Sequence, residues 1–299
     1  MRVKTMHGRN GLALVTAIGV AGFAGLALVA APRLAGGVAG AGAPPEVAQL
    51  ELPLAPGMVL QILNSTGRIA VSECEGDEAR LMITRESTPR GNVVEQVLSR
   101  WSSGAAPNGD VFEPSVRENA RGMQVSTLNL APEDGESVSY HFDVKLPRGR
   151  SLEVSNGNGT ISVAGIEGDV AAHSDNGDLR CDGVMGNVSA RVRNGGVYCR
   201  YISGAIDVAT ANGAIEVDSI PAQHHPVRAW SSNGAIKFRA PDSTLQLHAT
   251  TENGRVVSEM TDGSAALQQT LHTLDLNGGK DTAEVELHAL NGNIYVDAI

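Results

Sequence analysis

From Ser137 to Leu146 apolar and polar residues alternate strictly, with Val138, Tyr140, Phe142, Val144 and Leu146 on one side, and the run stops at Pro147-Arg148-Gly149. Period-two alternation ended by Pro and Gly predicts a strand with one buried face. Beyond it the pattern becomes regular. Glycines fall at 159, 168, 177, 186, 195, 204 and 213, a spacing of nine held without a slip. Two residues after each stands an apolar side chain (Ile161, Val170, Leu179, Val188, Val197, Ile206, Ile215), and four after each another (Val163, Ala172, Cys181, Ala190, Cys199, Val208, Val217). Such a unit is a short strand with two side chains inward and a turn at either end.

Asn precedes the glycine only in alternate units: Asn158-Gly159, Asn176-Gly177, Asn194-Gly195 and Asn212-Gly213. The intervening glycines follow Glu167, Met185 and Ser203. The true repeat is therefore an 18-residue unit, two strands with one Asn-Gly corner and one plain Gly corner. The motif continues at looser spacing as Asn233-Gly234, Asn253-Gly254 and Asn291-Gly292. An all-β chain can use this pattern in two ways. Asn-Gly between alternating strands is a hairpin signal, which gives an antiparallel sandwich or meander. A β-helix, or solenoid, of 18-residue coils stacks each unit parallel on the last, and a fixed period favours it, because an extra residue would throw a coil off its neighbour. Each corner amide would then lie about 4.8 Å from the next and bond along the stack, with Gly accepting positive φ.

Ahead of the repeat the reading is coarser. Residues 1–10 carry Arg2, Lys4 and Arg9, and 11–31 is a stretch of 21 without a charge. That is long enough for a transmembrane helix with its basic end in the cytosol. A cleaved signal with Ala39-Gly40-Ala41 as its site is the alternative. Either reading exports the remainder, as a single-pass protein of the cytoplasmic membrane or as a secreted or periplasmic one. Residues 32–57, rich in Ala, Gly and Pro, are expected to be a linker. Residues 58–136 read as an irregular β cap with one short helix at Asn92 to Trp101, and 137–299 as the Asn-Gly repeat.

Composition narrows the function classes. Aromatic residues are 3% of the chain and Gly numbers 35, so the core must be built from aliphatic side chains and Cys. The net charge is -10, and beyond residue 45 there are 19 bases against 33 acids, which argues against nucleic acid as a partner. Cys181 and Cys199, 18 apart at one inward position, are expected to stack as thiols, and with Cys74 the count is odd. The spacing of Cys and His suggests no metal site. His224-His225, where the repeat lengthens to 21, reads as an exposed loop. Calcium-binding β-rolls need two glycines and an Asp in every unit, whereas the residue after the glycine here varies from Thr160 to Ala214. Asp175, Asp178 and Asp182 read as a solvated face. No catalytic motif is present, and no cofactor or catalytic residue is expected.

The segments VSYHFDVKLP (138–147), LEVSNGNGTISVAGIEGDV (152–170), HSDNGDLRC (173–181) and TANGAIEVDSI (210–220) resemble the bacterial DUF4097 family of β-strand-repeat proteins, grouped as adhesins. The resemblance implies a β-helix-like fold in the cell envelope, often behind a membrane anchor, and supplies no catalytic residue. The functional expectation is a non-catalytic, adhesin-like or structural binding protein, tied to the membrane by its N-terminal helix, with an envelope ligand or protein partner and room for self-association. A membrane-tethered stress or signalling accessory is the alternative, and a carbohydrate-active enzyme the third.

Overall fold

Side chains that alternate between a buried and a wet face build sheets, and the computed structural model of this chain is all-β. It describes residues 6–7, 13–16, 27–30, 46–89, 112–128, 130, 136–218, 225–240, 245–260, 272–276 and 283–298. In chain order the first strands are β1 (Met6–His7), β2 (Ala13–Thr16), β3 (Ala27–Ala30), β4 (Glu46–Pro53), β5 (Val59–Thr66), β6 (Ile69–Cys74) and β7 (Glu78–Pro89). Next come β8 (Ser115–Asn119), β9 (Gly122–Ser126), β10 (Glu136–Pro147), β11 (Ser151–Asn158), β12 (Ile161–Ala164), β13 (Val170–Asn176), β14 (Leu179–Asp182), β15 (Val188–Asn194) and β16 (Val197–Arg200). The last are β17 (Ile206–Asn212), β18 (Ile215–Asp218), β19 (Val227–Asn233), β20 (Ile236–Ala240), β21 (Leu245–Asn253), β22 (Val256–Met260), β23 (Thr273–Leu276), β24 (Ala283–Asn291) and β25 (Ile294–Ala298).

These strands make two mixed sheets. The first has 14 strands in the order β1-β2-β3-β4-β7-β10-β6-β12-β14-β16-β18-β20-β25-β22. The second has 11, in the order β23-β21-β24-β19-β17-β15-β13-β11-β5-β9-β8. Each repeat unit gives one strand to each sheet and pairs in parallel with the unit beside it. Ile161 lies opposite Leu179, then Val197, then Ile215, each step one full repeat along the chain. In the second sheet Val170, Val188 and Ile206 follow the same step. The two inward positions after the repeat glycines are buried in all seven units. Ala172, Cys181, Ala190 and Cys199 occupy four of these positions, and Val, Ile and Leu the rest, so this part of the core holds no aromatic side chain.

Among the described residues of 151–298 the strands of neighbouring units pair in parallel, which an antiparallel sandwich or meander would not give, and β23 alone runs antiparallel, to β21. The Asn-Gly corner joins a strand of one sheet to a strand of the other, and it closes no hairpin. Glycine is needed there for two reasons. Gly177 has φ +140, a region L side chains avoid, and a Cβ on it would overlap the Gly159 carbonyl oxygen of the adjacent unit.

Other boundaries shift. The stack begins before the repeat: β5 pairs in parallel with β11 and β6 with β12, so Asn64 to Gly67 forms a corner of the same kind within the expected cap. β10, by contrast, is no repeat unit, because it runs antiparallel to β7 and parallel to β6. The linker expected over 32–57 is too long. Glu46–Pro53 is a strand of the first sheet with Ala48, Leu50 and Leu52 buried, an alternation hidden by the flanking prolines. The helix expected at 92–101 lies outside the described residues. Within 11–31 the described residues are the strands β2 and β3, and short Ala, Leu and Val runs serve a strand as readily as a helix. No helix among the described residues is long and apolar enough to cross a membrane.

The order of the last units also departs from the chain. β24 lies between β19 and β21, and β25 between β20 and β22. The final unit, 283–298, has inserted between the two that precede it.

Where the N-terminal lobe meets the stack, one buried cation joins them. Arg150 donates from Nε and Nη2 to the Leu54 carbonyl at 3.0 and 2.7 Å, and from Nη1 to the Arg148 carbonyl at 2.6 Å. Its Nη2 also meets Asp77 at 2.9 Å. A guanidinium with this many acceptors can be buried at tolerable cost.

Candidate functional site

The sequence singles out the Asn-Gly corners, and they come together as one continuous feature. Asn176 donates from Nδ2 to Asn158 Oδ1 at 3.0 Å, Asn194 to Asn176 at 2.9 Å, Asn212 to Asn194 at 2.9 Å and Asn233 to Asn212 at 3.0 Å. Asn291 then donates to Asn233 at 2.9 Å and Asn253 to Asn291 at 3.0 Å. The adjoining glycines, 159, 177, 195, 213, 234, 292 and 254, run beside them in the same order. Each interior amide spends one donor and one acceptor on its neighbours, which is a structural use.

Cys181 and Cys199 lie opposite each other on β14 and β16, both buried and both free. The Cys199 thiol is held well above its ordinary pKa by its hydrogen bond with Cys181 and by burial. Such a thiol is a poor nucleophile.

Of the expected solvated acids, Asp178 pairs with Arg180 at 2.9 Å and Asp175 with Arg193 at 3.2 Å, and Asp182 is exposed. His225 is exposed, and His224 lies outside the described residues. Among the described residues no group of three His, Cys, Asp or Glu is placed to hold a metal ion.

The outward face of the second sheet carries side chains the sequence did not single out. Parallel register arranges them in two rows along the stack. One row runs Ser189, Asp207, Arg228, Glu286, His248. The other runs Arg191, Ala209, Trp230, His288, Thr250. In the second row the Trp230 and His288 rings stack with centroids 3.8 Å apart and planes 17° from parallel. Trp230 nevertheless remains 52% exposed. Among the described residues His288 Nδ1 is buried and makes no hydrogen bond.

The charged neighbours are held in place. Arg191 donates from Nη2 to Asp207 Oδ2 at 2.6 Å and from Nη1 to the carbonyls of Asp207 and Ala190 at 2.8 and 3.0 Å. Arg228 donates from Nε to Glu286 at 2.9 Å, and that bond raises the guanidinium pKa still further. His248 contacts Asp275. The two ion pairs, the stacked rings and His248 line a hollow of about 460 Å³, within the size range of small-molecule sites.

Trp230 had a legible signal. It occupies an outward position, between Arg228 and Ser231 with the inward Ala229, in a chain with only 2 Trp. Its partner His288 had none, because it lies two units further along the chain and the final unit is displaced from chain order.

No family model matches the chain, and no curated protein matches it. Two solved structures are similar in outline. One is a candidate cell adhesion protein of Clostridium sporogenes, 9% identical over 85% of this chain and 100% of that one, with a TM-score of 0.35. The other is a candidate adhesin of Bacteroides fragilis, 10% identical over 85% of this chain and 97% of that one, also at 0.35. A TM-score of 0.35 is too low for either likeness to carry an inference about this chain.

Proposed function

We propose that the chain is a non-catalytic, adhesin-like binding protein of the cell envelope, a β-solenoid of 18-residue coils that presents the outward face of its second sheet. The parallel steps of one repeat in both sheets support the solenoid. The resemblance to DUF4097 supports the envelope setting, and so does the uncharged stretch 11–31 behind Arg2, Lys4 and Arg9, read as an anchor or a cleaved signal. The domain division, as amended by the strands above, belongs to the same reading.

One observation carries the choice of binding over catalysis. The two carboxylates that line the hollow are each engaged by a cation: Asp207 by Arg191 and Glu286 by Arg228. General acid–base work needs a carboxyl group free to exchange a proton with a substrate. An aromatic ring with one side covered and one side wet is suited to holding a ligand.

The test has two arms. Protease added to intact spheroplasts should digest the β region while cytoplasmic marker proteins survive. A deletion strain should lose surface attachment, and the wild-type gene should restore it. Protection of the β region refutes export. Unchanged attachment with impaired envelope-stress resistance would transfer the reading to a stress accessory.

A further inference from the structure

The hollow around Trp230 contains a slot whose shape and charge select one kind of ligand. His288 covers one face of the indole, on the β24 side. The other face turns toward β17, where the register places Ala209. Beyond Ala209 the next residue of the row is Arg191, on β15. The Arg191 side chain reaches forward from β15 to Asp207 on β17, where two of its three hydrogen bonds hold the guanidinium beside Ala209. The uncovered indole face, the small Ala209 and this guanidinium bound a slot within the hollow of about 460 Å³, room enough for a saturated six-membered ring laid on the indole, with Ala209 as its floor.

Charge decides what kind of ring. Arg191 and Arg228 balance Asp207 and Glu286, so the hollow has no net charge to attract an ion. An anion would meet two carboxylates, and a cation two guanidiniums. The same groups offer a dense set of hydrogen-bond donors and acceptors, because each pair keeps about half of its side-chain surface exposed (47% and 54% for Arg191 and Asp207, 55% and 48% for Arg228 and Glu286). A neutral ring with an apolar C–H face for the indole and hydroxyls at its edge matches this surface. We propose that the slot bounded by Trp230, Ala209 and Arg191 binds a neutral pyranose residue of a glycan. The neighbouring row, Ser189, Asp207, Arg228, Glu286 and His248, runs alongside the slot and offers polar contacts to the rest of the glycan.

This deepens the binding reading above and names its ligand class. The full chain, held in a detergent without a sugar headgroup, is run through native gels cast with dextran, mannan, galactomannan or xyloglucan. Parallel gels contain anionic alginate or cationic glycol chitosan. At least one neutral polysaccharide should retard the wild type, alginate should not retard it beyond the plain-gel control, and retardation by glycol chitosan, expected for a chain of net charge -10, should be the same in the slot variants as in the wild type. Ala209→Leu fills the slot from an outward position without touching the core, and should weaken retardation by about tenfold or more. Trp230→Ala removes the stacking face and should do the same. Far-UV circular dichroism and thermal midpoints report whether each variant folds, and Trp230→Phe stands in if the alanine variant does not. Absence of retardation by every neutral polysaccharide overturns the proposal. So does retardation confined to the charged polymers, or retardation by the neutral ones that survives in both slot variants. If cells attach through this protein while the neutral gels are silent, the ligand class alone is wrong. If the β region proves not to be exported, the whole reading falls whatever the gels show.

Discussion

The amide ladder makes a prediction that separates a cooperative stack from a row of independent corners. Asn176 and Asn194 each take part in two side-chain bonds of the ladder and share the one between them. Asn176 and Asn233 also take part in two each but share none. All of these residues are exposed, so each bond contributes about 0.5–1 kcal/mol. Asn176→Ala and Asn194→Ala should each cost about 1–2 kcal/mol. The adjacent double variant loses three bonds, or about 1.5–3 kcal/mol, whereas Asn176→Ala with Asn233→Ala loses four, about 2–4 kcal/mol. Intrinsic costs of placing Ala at a corner cancel in the comparison, leaving a coupling of about one bond for neighbours and none for the separated pair. Equilibrium urea unfolding of these single and double variants and the parent measures it. Coupling should appear as a midpoint shift at constant slope, because no surface burial changes. Equal additivity in both doubles would mean that the amides contribute one by one through water, and the ladder would not be a stabilising element.

Three further outcomes follow from particular residues. Tyr201 has φ +52 at the corner position that Gly165 and Gly183 occupy in the two preceding units. Tyr201→Gly should therefore stabilise by up to about 1 kcal/mol, relief of left-handed strain outweighing added chain entropy, whereas Gly183→Ala should destabilise by about 1–2 kcal/mol. A Tyr201→Gly variant less stable than the parent in urea would contradict this. Thiol titration of unfolded, unreduced protein should count three cysteines, and Cys181 and Cys199 should be silent in the native state. Because the folded Cys199 pKa is raised, its contribution is whole below the unfolded thiol value of about 8.5 and is lost as pH rises through the folded value. Urea midpoints should fall on that alkaline side, less steeply in Cys199→Ala, and equal slopes would refute the assignment. In hydrogen exchange β25, paired with β20 and β22, should be slower by about tenfold or more than β22, which has β25 as its one partner in the sheet order, although β25 is nearer the chain end.

Much of the stack was legible because its constraints are local. A Cβ at any corner glycine would overlap the backbone of the unit beside it, and the core demands apolar side chains at the columns of Ala172 and Cys181. The ladder demands Asn at a constant offset. Each demand recurs once per repeat and leaves a mark in the sequence. The position of the final unit left no such mark, since any unit carrying Asn-Gly can stack on any other with the same register. Stacked in chain order, 245–260 would sit directly on 227–240, bringing Trp230 against Thr250 and Arg228 against His248. In the first sheet Lys237 would meet Val257. Insertion of 283–298 replaces those neighbours with His288 for Trp230, Glu286 for Arg228, and Tyr295 for Lys237. Arg239 is indifferent to the order, since Asp297 at 3.4 Å stands where Glu259 would stand and Asp218 at 3.6 Å lies on β18 in either case. An exposed pair contributes little alone, about 0–1 kcal/mol, but three favourable exchanges against one competing order are enough to choose it. The choice therefore lies in the outward rows, which repeat-based reading treats as variable. Those rows also form the hollow, so the stacking order and the candidate binding surface depend on the same side chains.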